Sequence, residues 1–182
     1  MQGPNKLLIP VNGKPMLRGV TQAALQSNVD EVIVVLGFEA EKVKKTITDL
    51  TCRIIINQDY EKGQSSSLLA GMKALNKHTQ AVLVLPGDLA NIESSSINLV
   101  VQSYIKQHNN IVSAAHNGRL GHPILFSKEL FSEIMMISEE SAGLKAVVTN
   151  HRKEVQLVET NSENVLTDID HQDDLKKLIN TQ

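Results

Sequence analysis

A carboxylate stands directly after an apolar run in the middle of the chain, where it could bind a metal ion. The segment Pro86-Gly87-Asp88 follows residues 81–85, which are all apolar. Hard cations such as Mg²⁺ prefer carboxylate oxygens, and Gly87 would let a ligand approach the backbone closely. Pro, Gly and Asp are also ordinary turn residues, so Asp88 could instead only organise the turn. Taken alone, the segment favours the turn.

A second acidic segment, Asp168-Ile169-Asp170, lies near the end of the chain. Because side chains alternate along a strand, Asp168 and Asp170 would lie on the same side of a predicted strand over residues 165–169. Asp170 also stands at the N-cap of a predicted helix over residues 172–179. The segment therefore predicts a metal ligand, a helix cap or both, since a carboxylate has several lone pairs.

Lys6 is the basic residue near the N-terminus that could neutralise phosphate oxygens. It follows Gly3 and precedes the apolar residues 7–9. The spacing G-x-x-x-x-G-K-[ST] of a P-loop is absent. A lone lysine near a terminus is otherwise typical of a solvated charge.

Three successive serines, residues 65–67, follow Gly63 and open a predicted helix over residues 67–76. A helix start with hydroxyl groups offers caps, hydrogen-bond donors and a partial positive charge. Ordinary capping accounts for only one of the three serines. The run therefore offers more hydroxyl groups than the helix start needs for its cap.

A glycine-containing segment, residues 118–123, carries two further polar side chains. Gly118 and Gly121 are expected to flank a turn between strands. Arg119 could face an anionic ligand there, and His122 could donate or accept a hydrogen bond. No zinc-ligand spacing includes a histidine of this chain.

Short apolar runs alternate with amphipathic stretches, and this order predicts the frame that must position these residues. The predicted strands cover residues 31–36, 53–56, 81–85, 111–115, 122–126, 154–158 and 165–169. The predicted helices cover residues 15–27, 40–50, 67–76, 95–107, 131–137, 142–149 and 172–179. The alternation predicts a three-layer α/β/α fold with a mostly parallel, mixed sheet of Rossmann-like type. Ligands bind such sheets at the carboxyl ends of the strands.

The composition bounds the class of protein. The 182 residues are enough for one domain and contain no linker-like tract, so we expect a single domain over residues 1–182. Net charge is −2 without a basic block, which argues against a nucleic-acid partner. The chain has neither a long apolar run nor a signal peptide, so we expect a cytoplasmic protein with no membrane partner. The one cysteine, Cys52, is expected to be a buried thiol.

In series, these segments have the order and spacing of one family. The chain resembles the molybdenum cofactor cytidylyltransferases, within the wider nucleotidyltransferase superfamily. That family has a glycine-rich loop LAAGxSxRMG, then x-K-L-L-L-P and G-x-P-L-L, a serine-led helix, G-D, G-H-P-V-L-F and D-I-D-T-P-E-D-L. The matching segments here are residues 1–3, 6–10, 13–17, 67–71, 87–88, 121–126 and 168–175. The resemblance covers essentially the whole chain.

Two departures from the family pattern stand out. Ala90 replaces the proline that usually follows two residues after the metal-binding aspartate. The family's first strand and most of its glycine-rich loop have no counterpart, because residues 1–3 match only the end of that loop. We hypothesise that Met1 is an internal methionine of a longer natural protein. Mass spectrometry of the native protein would contradict this hypothesis if Met1 were the true N-terminus.

The resemblance implies transfer of CMP from CTP to the terminal phosphate of the molybdopterin cofactor, with release of pyrophosphate. It implies that Asp88 and Asp170 hold Mg²⁺ and that Lys6 acts with them in catalysis. It also implies nucleotide contacts from Gly3, Lys6, Gly63, Ser67 and Gly87, and substrate contacts from Arg119, Gly121 and His122. The product would pass to a molybdenum enzyme. Two alternatives stay open: a related enzyme that uses GTP or a sugar-phosphate acceptor, and a non-catalytic cofactor-binding protein of molybdenum-enzyme maturation.

Overall fold

The computed structural model describes residues 5–166 of the chain. The strands are β1 (Pro10–Val11), β2 (Lys14–Pro15), β3 (Ile33–Leu36), β4 (Arg53–Ile56), β5 (Ala81–Val84), β6 (Ile111–His116), β7 (Arg119–Ser127) and β8 (Val155–Glu159). The α-helices are α1 (Met16–Leu25), α2 (Ala40–Lys44), α3 (Gln64–Lys73), α4 (Ser94–Gln107), α5 (Phe131–Ile134) and α6 (Gly143–Asn150). No helix in this range is long and apolar enough to cross a membrane.

The strands form two main sheets. β3 and β4 pair in parallel, from Ile33 opposite Arg53 to Leu36 opposite Ile56. The second sheet has the order β5-β7-β6-β8, in which β7 is antiparallel to both neighbours and β8 is parallel to β6. The predicted α/β fold with a mixed sheet is confirmed, and antiparallel pairing takes a larger part in it than we predicted.

Helix α1 joins the two sheets on one face. Its residue Leu17 packs against Val34 and Leu36 of β3. One turn further along, Val20 belongs to a second cluster, which includes Leu83 of β5 and much of α4. One side of α1 therefore covers both sheets at once.

Helix α3 also covers both sheets, on the opposite face. Met72 packs in the cluster that contains Val82 and Val84 of β5. A side chain at Gly71 would lie 3.3 Å from Cγ2 of Val35 in β3. Within residues 5–166, β3 pairs only with β4 and β5 only with β7, so the two helices rather than strand pairing hold the sheets side by side.

Several predicted boundaries differ from the structure. α2 ends at Lys44 because the chain continues in i→i+3 hydrogen bonds such as Ile47 N to Lys44 O, at 3.0 Å. β7 is longer than predicted, and the turn before it is Asn117-Gly118, with φ of 53° and 72°. Positive φ at both positions is what a two-residue hairpin with a type I′ turn requires. Gly121 therefore lies inside a strand and does not flank the turn, which corrects our prediction.

The predicted strand over residues 165–169 is wrong at its start. Residues Glu163–Leu166 form a 3₁₀ turn packed against β6 and β7. The rest of that segment and the predicted helix over residues 172–179 lie outside the described residues. Cys52 is also only half-buried, against the β3–β4 cluster. Burial raises the pKa of its thiol.

A histidine joins the last part of the chain to α5. His151, directly after α6, lies with Nε2 at 2.7 Å from Oε2 of Glu133 and Nδ1 at 3.2 Å from Oε1 of Glu154. The hydrogen bond to Glu133 is the main cause that raises the pKa of His151, and the same bond lowers the pKa of Glu133. Glu154, bonded first by Asn110 and then by His151, also has a lowered pKa.

We predict that the alanine substitution Gly121→Ala destabilises the fold. A Cβ at this position would lie 2.4 Å from the carbonyl oxygen of Val165, and backbone cannot yield as a side-chain tip can. We expect a loss of about 1–3 kcal/mol in the free energy of unfolding, measured by urea denaturation. Gly19→Ala, in α1, is the matched control, because no atom lies within 4 Å of its Cβ and its φ is outside the left-handed region. Equal effects of the two substitutions would contradict the packing argument.

We predict that His151 makes stability depend on pH. The raised pKa of His151 means that its contribution is complete below the pKa of an unfolded histidine, about 6.5, and is lost as the pH rises through the folded value. The lowered pKa of Glu133 removes the contribution again in acid. The difference in melting temperature between the wild type and His151→Ala should therefore be larger at pH 5.5 to 6 than at pH 9. His78→Ala, at an exposed histidine, should show no such difference.

Candidate active site

Asp88 and Lys6 lie together at the carboxyl end of β5. Lys6 Nζ lies 3.4 Å from Asp88 Oδ2, and the side chains remain 34% and 29% exposed. The two residues are 82 positions apart in the sequence. The pair is accessible to solvent at this edge of the sheet.

The turn that carries Lys6 is fixed by its neighbour Asn5. The Asn5 side chain accepts a hydrogen bond from Leu7 N at 3.1 Å and caps the 3₁₀ turn Lys6–Leu8. Its amide nitrogen donates to the carbonyl of Phe38 at 3.1 Å, just beyond β3. The N-terminal turn is thus attached to the end of β3 and reaches the end of β5. The sequence analysis missed Asn5, although Asn before a short apolar run is a cap signal.

Gly87 has a packing role at this point. A Cβ there would lie 3.1 Å from Cδ1 of Leu17 and 3.3 Å from Cδ2 of Leu7. Without a side chain, the loop after β5 can lie against α1 and the turn of Lys6. Ala90, the departure from the family pattern, is buried with Met16, and its N–H donates to the Asp88 carbonyl at 3.0 Å.

The serine run lies in the first turn of α3, which begins at Gln64, earlier than we predicted. Gly63 precedes it with φ of 97°. The buried amide of Asn57, at the end of β4, donates to Ser66 Oγ at 2.8 Å and to Ser67 Oγ at 3.0 Å. Ser67 therefore has a fixed hydroxyl, and the residue that fixes it, Asn57, was missed because it is ten positions away.

A carboxylate from a distant loop lies at the start of α3. Glu139 Oε1 accepts a hydrogen bond from Ser65 N at 2.6 Å. A Cβ at Gly63 would lie 2.5 Å from Glu139 Cδ, so glycine is required for this approach. The negative charge is stabilised by the positive end of the helix. Sequence reasoning missed Glu139 because nothing local links it to residue 65.

The other candidate residues lie on β7, in the second sheet. Arg119 is exposed at the hairpin, opposite His116. Gly121 is buried, and His122 is half-buried and precedes the cis peptide bond to Pro123. Ile124 pairs with Val84, the last residue of β5. Because the pairing is antiparallel, β7 at Gly121 and His122 continues past the end of β5, toward the edge where Asp88 lies.

The structure thus brings Lys6, Asp88 and Gly87 together and places Gly63 and Ser67 beyond β4. Gly3 and Asp170 lie outside the described residues, as does Asp168. Within residues 5–166, no three His, Cys, Asp or Glu side chains are arranged to hold a metal ion.

Comparisons with known proteins agree on the type of domain. Nicotine blue oxidoreductase of Paenarthrobacter nicotinovorans is 25% identical over 185 aligned residues, which cover 98% of this chain and 89% of that protein. The crystal structure of Rv0371c from Mycobacterium tuberculosis superposes with a TM-score of 0.85 at 21% identity, covering 97% of this chain and 89% of that one. The same protein has been solved as a manganese complex.

A nucleotidyl transferase from Methanothermobacter thermautotroptrophicus has a TM-score of 0.81 at 21% identity and covers 98% of this chain and 85% of its own. These structural likenesses establish the fold. The sequence itself matches the family model described as the MobA-like NTP transferase domain over residues 1–155. This chain is therefore a member of the MobA-like NTP transferase family.

Proposed function

We propose that this protein transfers CMP from CTP to the terminal phosphate of a molybdopterin-type cofactor and releases pyrophosphate. The observation that carries the proposal is the Lys6–Asp88 pair, which combines a cation for phosphate and a carboxylate for a metal at the ligand-binding edge of an NTP transferase domain. Two segments, G-H-P-I-L-F at 121–126 and K-L-L-I-P at 6–10, favour the cytidylyltransferase branch of the family.

The proposed reaction needs charge neutralisation more than proton transfer. An oxygen of the acceptor phosphate, which is already anionic near neutral pH, attacks the α-phosphorus of CTP. The bond from that phosphorus to the bridging oxygen breaks, and pyrophosphate leaves with the electron pair. Since the acceptor needs no deprotonation, a nucleophile–base pair is not required, and positioning with electrostatics dominates. Lys6 neutralises charge on the phosphates as pyrophosphate departs.

A divalent metal would be held by Asp88 and Asp170, of which the structure describes Asp88. The accessible carboxylate of Asp88 is a hard oxygen ligand, and Asp170 would supply the second. Mg²⁺, when bound, would neutralise the triphosphate and the leaving group. The manganese complex of Rv0371c is in keeping with divalent-metal use in this fold.

The remaining candidate residues are assigned either to the nucleotide or to the acceptor. Gly3, Gly63 and Gly87 shape the nucleotide site, and the Ser67 hydroxyl, held by Asn57, orients the nucleotide. On the other sheet, His122 contacts the acceptor, with Arg119 toward its anionic end, while the preceding Gly121 makes room for the carbonyl of Val165.

Alternative reactions within the family differ in nucleotide or acceptor. GTP or a sugar phosphate would use the same Lys6–Asp88 pair. A non-catalytic cofactor-binding protein that serves maturation of a molybdenum enzyme is supported by Ala90, which replaces the proline usual in the family. One relative, of which the alignment covers 89%, is named an oxidoreductase and not a transferase. The presence of Lys6 and Asp88 favours nucleotidyl transfer over a non-catalytic protein and over an oxidoreductase.

The test measures pyrophosphate release with Mg²⁺, a molybdopterin-type acceptor and each of CTP, GTP and ATP. Acceptor-dependent release that is fastest with CTP is expected. Fastest release with GTP would select the related enzyme. Nucleotide binding without release would select the non-catalytic protein.

We predict that Asp88→Asn lowers metal-dependent turnover by at least about a hundredfold, because the amide keeps the shape but cannot provide a charged ligand. The control is Glu129→Gln, which neutralises an exposed carboxylate in the turn after β7. Turnover and thermal melts are measured for both variants at several Mg²⁺ concentrations. Unchanged turnover with normal Mg²⁺ dependence in Asp88→Asn would contradict the assigned role.

A further inference from the structure

Two aromatic side chains are exposed beside the candidate site. Phe38 follows β3 and is 48% exposed, and Tyr60 follows β4 and is 36% exposed. The chain has only five aromatic residues of the Phe, Tyr and Trp types. The other three, Tyr104, Phe126 and Phe131, pack in the apolar clusters of the core. An aromatic ring left in water forgoes the stabilisation that burial would give it, so the placement of this pair calls for an explanation.

The pair is held in a fixed position. The ring centroids are 6.3 Å apart and the planes are tilted by 56°. Tyr60 packs on Gly37 so closely that a Cβ there would lie 2.4 Å from Cβ of Tyr60. The carbonyl of Phe38 accepts the hydrogen bond from Asn5. The rings are not stacked in parallel on each other, and both side chains remain partly exposed to solvent.

The position of the pair points to one ligand. Asn5, bonded to Phe38, precedes Lys6, which is the proposed phosphate contact. Asn57, three residues before Tyr60, holds the hydroxyl of Ser67. Phe38 is thus bonded to the residue before Lys6, and Tyr60 lies in the segment that joins Asn57 to the serines of α3. The acceptor residues Arg119 and His122 are in the other sheet.

We propose that Phe38 and Tyr60 form a stacking platform for the base of the bound nucleoside triphosphate. This inference rests on the proposed function and adds to it the element that recognises the base. Stacking accepts any base face, so the platform contributes affinity and orientation, and hydrogen-bonding groups elsewhere must select among bases.

The experiment compares CTP with inorganic tripolyphosphate, which carries the phosphate charges without a base. Binding of each to the full chain with Mg²⁺ is measured by titration calorimetry for the wild type, Phe38→Ala, Phe38→Leu and Ile105→Ala. We expect CTP affinity to fall about tenfold in both Phe38 variants, with tripolyphosphate affinity unchanged. Phe38→Leu keeps apolar bulk without a ring, and Ile105→Ala removes an exposed side chain on α4 and should change neither affinity.

A second variant gives a direct signal. The chain contains no tryptophan, so Phe38→Trp introduces a single one. We expect CTP to quench its fluorescence and tripolyphosphate to leave it unchanged. Unchanged CTP affinity in Phe38→Ala, or equal loss for both ligands, would overturn the platform while the proposed function stands. If the wild type bound neither CTP, GTP, ATP nor tripolyphosphate, the proposed function would fail together with it.

Discussion

The whole arrangement depends on two helices that each cover both sheets. α1 packs on β3 through Leu17 and on the β5 cluster through Val20, and α3 bridges the same strands from the other face. Strand pairing does not join β3 to β5 within residues 5–166. The position of one sheet relative to the other therefore follows from apolar side-chain packing, which is less directional than a hydrogen-bonded ladder. The distance between Lys6 and Asp88 therefore depends on the same packing, because the turn of Lys6 is attached to the end of β3 and Asp88 follows β5.

Much of the frame could be predicted from local pattern, because β-branched runs and amphipathic periods are local signals. The strand at 53–56 has the predicted bounds, and those predicted at 31–36, 81–85 and 111–115 differ by two residues or fewer, whereas β1 and β2 were not predicted. Errors arose where distant contacts decide the conformation. Residues 165–166 have strand-like side chains, yet they lie in a 3₁₀ turn in which the carbonyl of Val165 is packed against Gly121. In the same way, Gly121 looked like a turn residue, while the turn is at Asn117-Gly118.

Only part of the candidate site could be predicted, for the same reason. Residue types that carry charge, such as Lys6 and Asp88, are visible in the sequence, and the parallel-sheet rule places them at one edge. The residues that hold them are not visible, since Asn5, Asn57 and Glu139 act through contacts that only folding creates. Gly63, Gly87 and Gly121 were chosen as ligand-contacting glycines. At Gly121 a Cβ would meet the backbone of Val165, so packing alone is enough to require glycine there, whereas a Cβ at Gly63 or Gly87 would meet side chains.

The single cysteine gives this fold one chemical handle at a defined place. Cys52 directly precedes β4, at its amino end, whereas the candidate site lies at the carboxyl ends of the strands. A probe attached there would sit across the length of a strand from Asn57 and would leave the nucleotide edge unmodified. Because burial raises the pKa of the thiol, little thiolate is present at neutral pH, and alkylation is slow unless the solution is made alkaline.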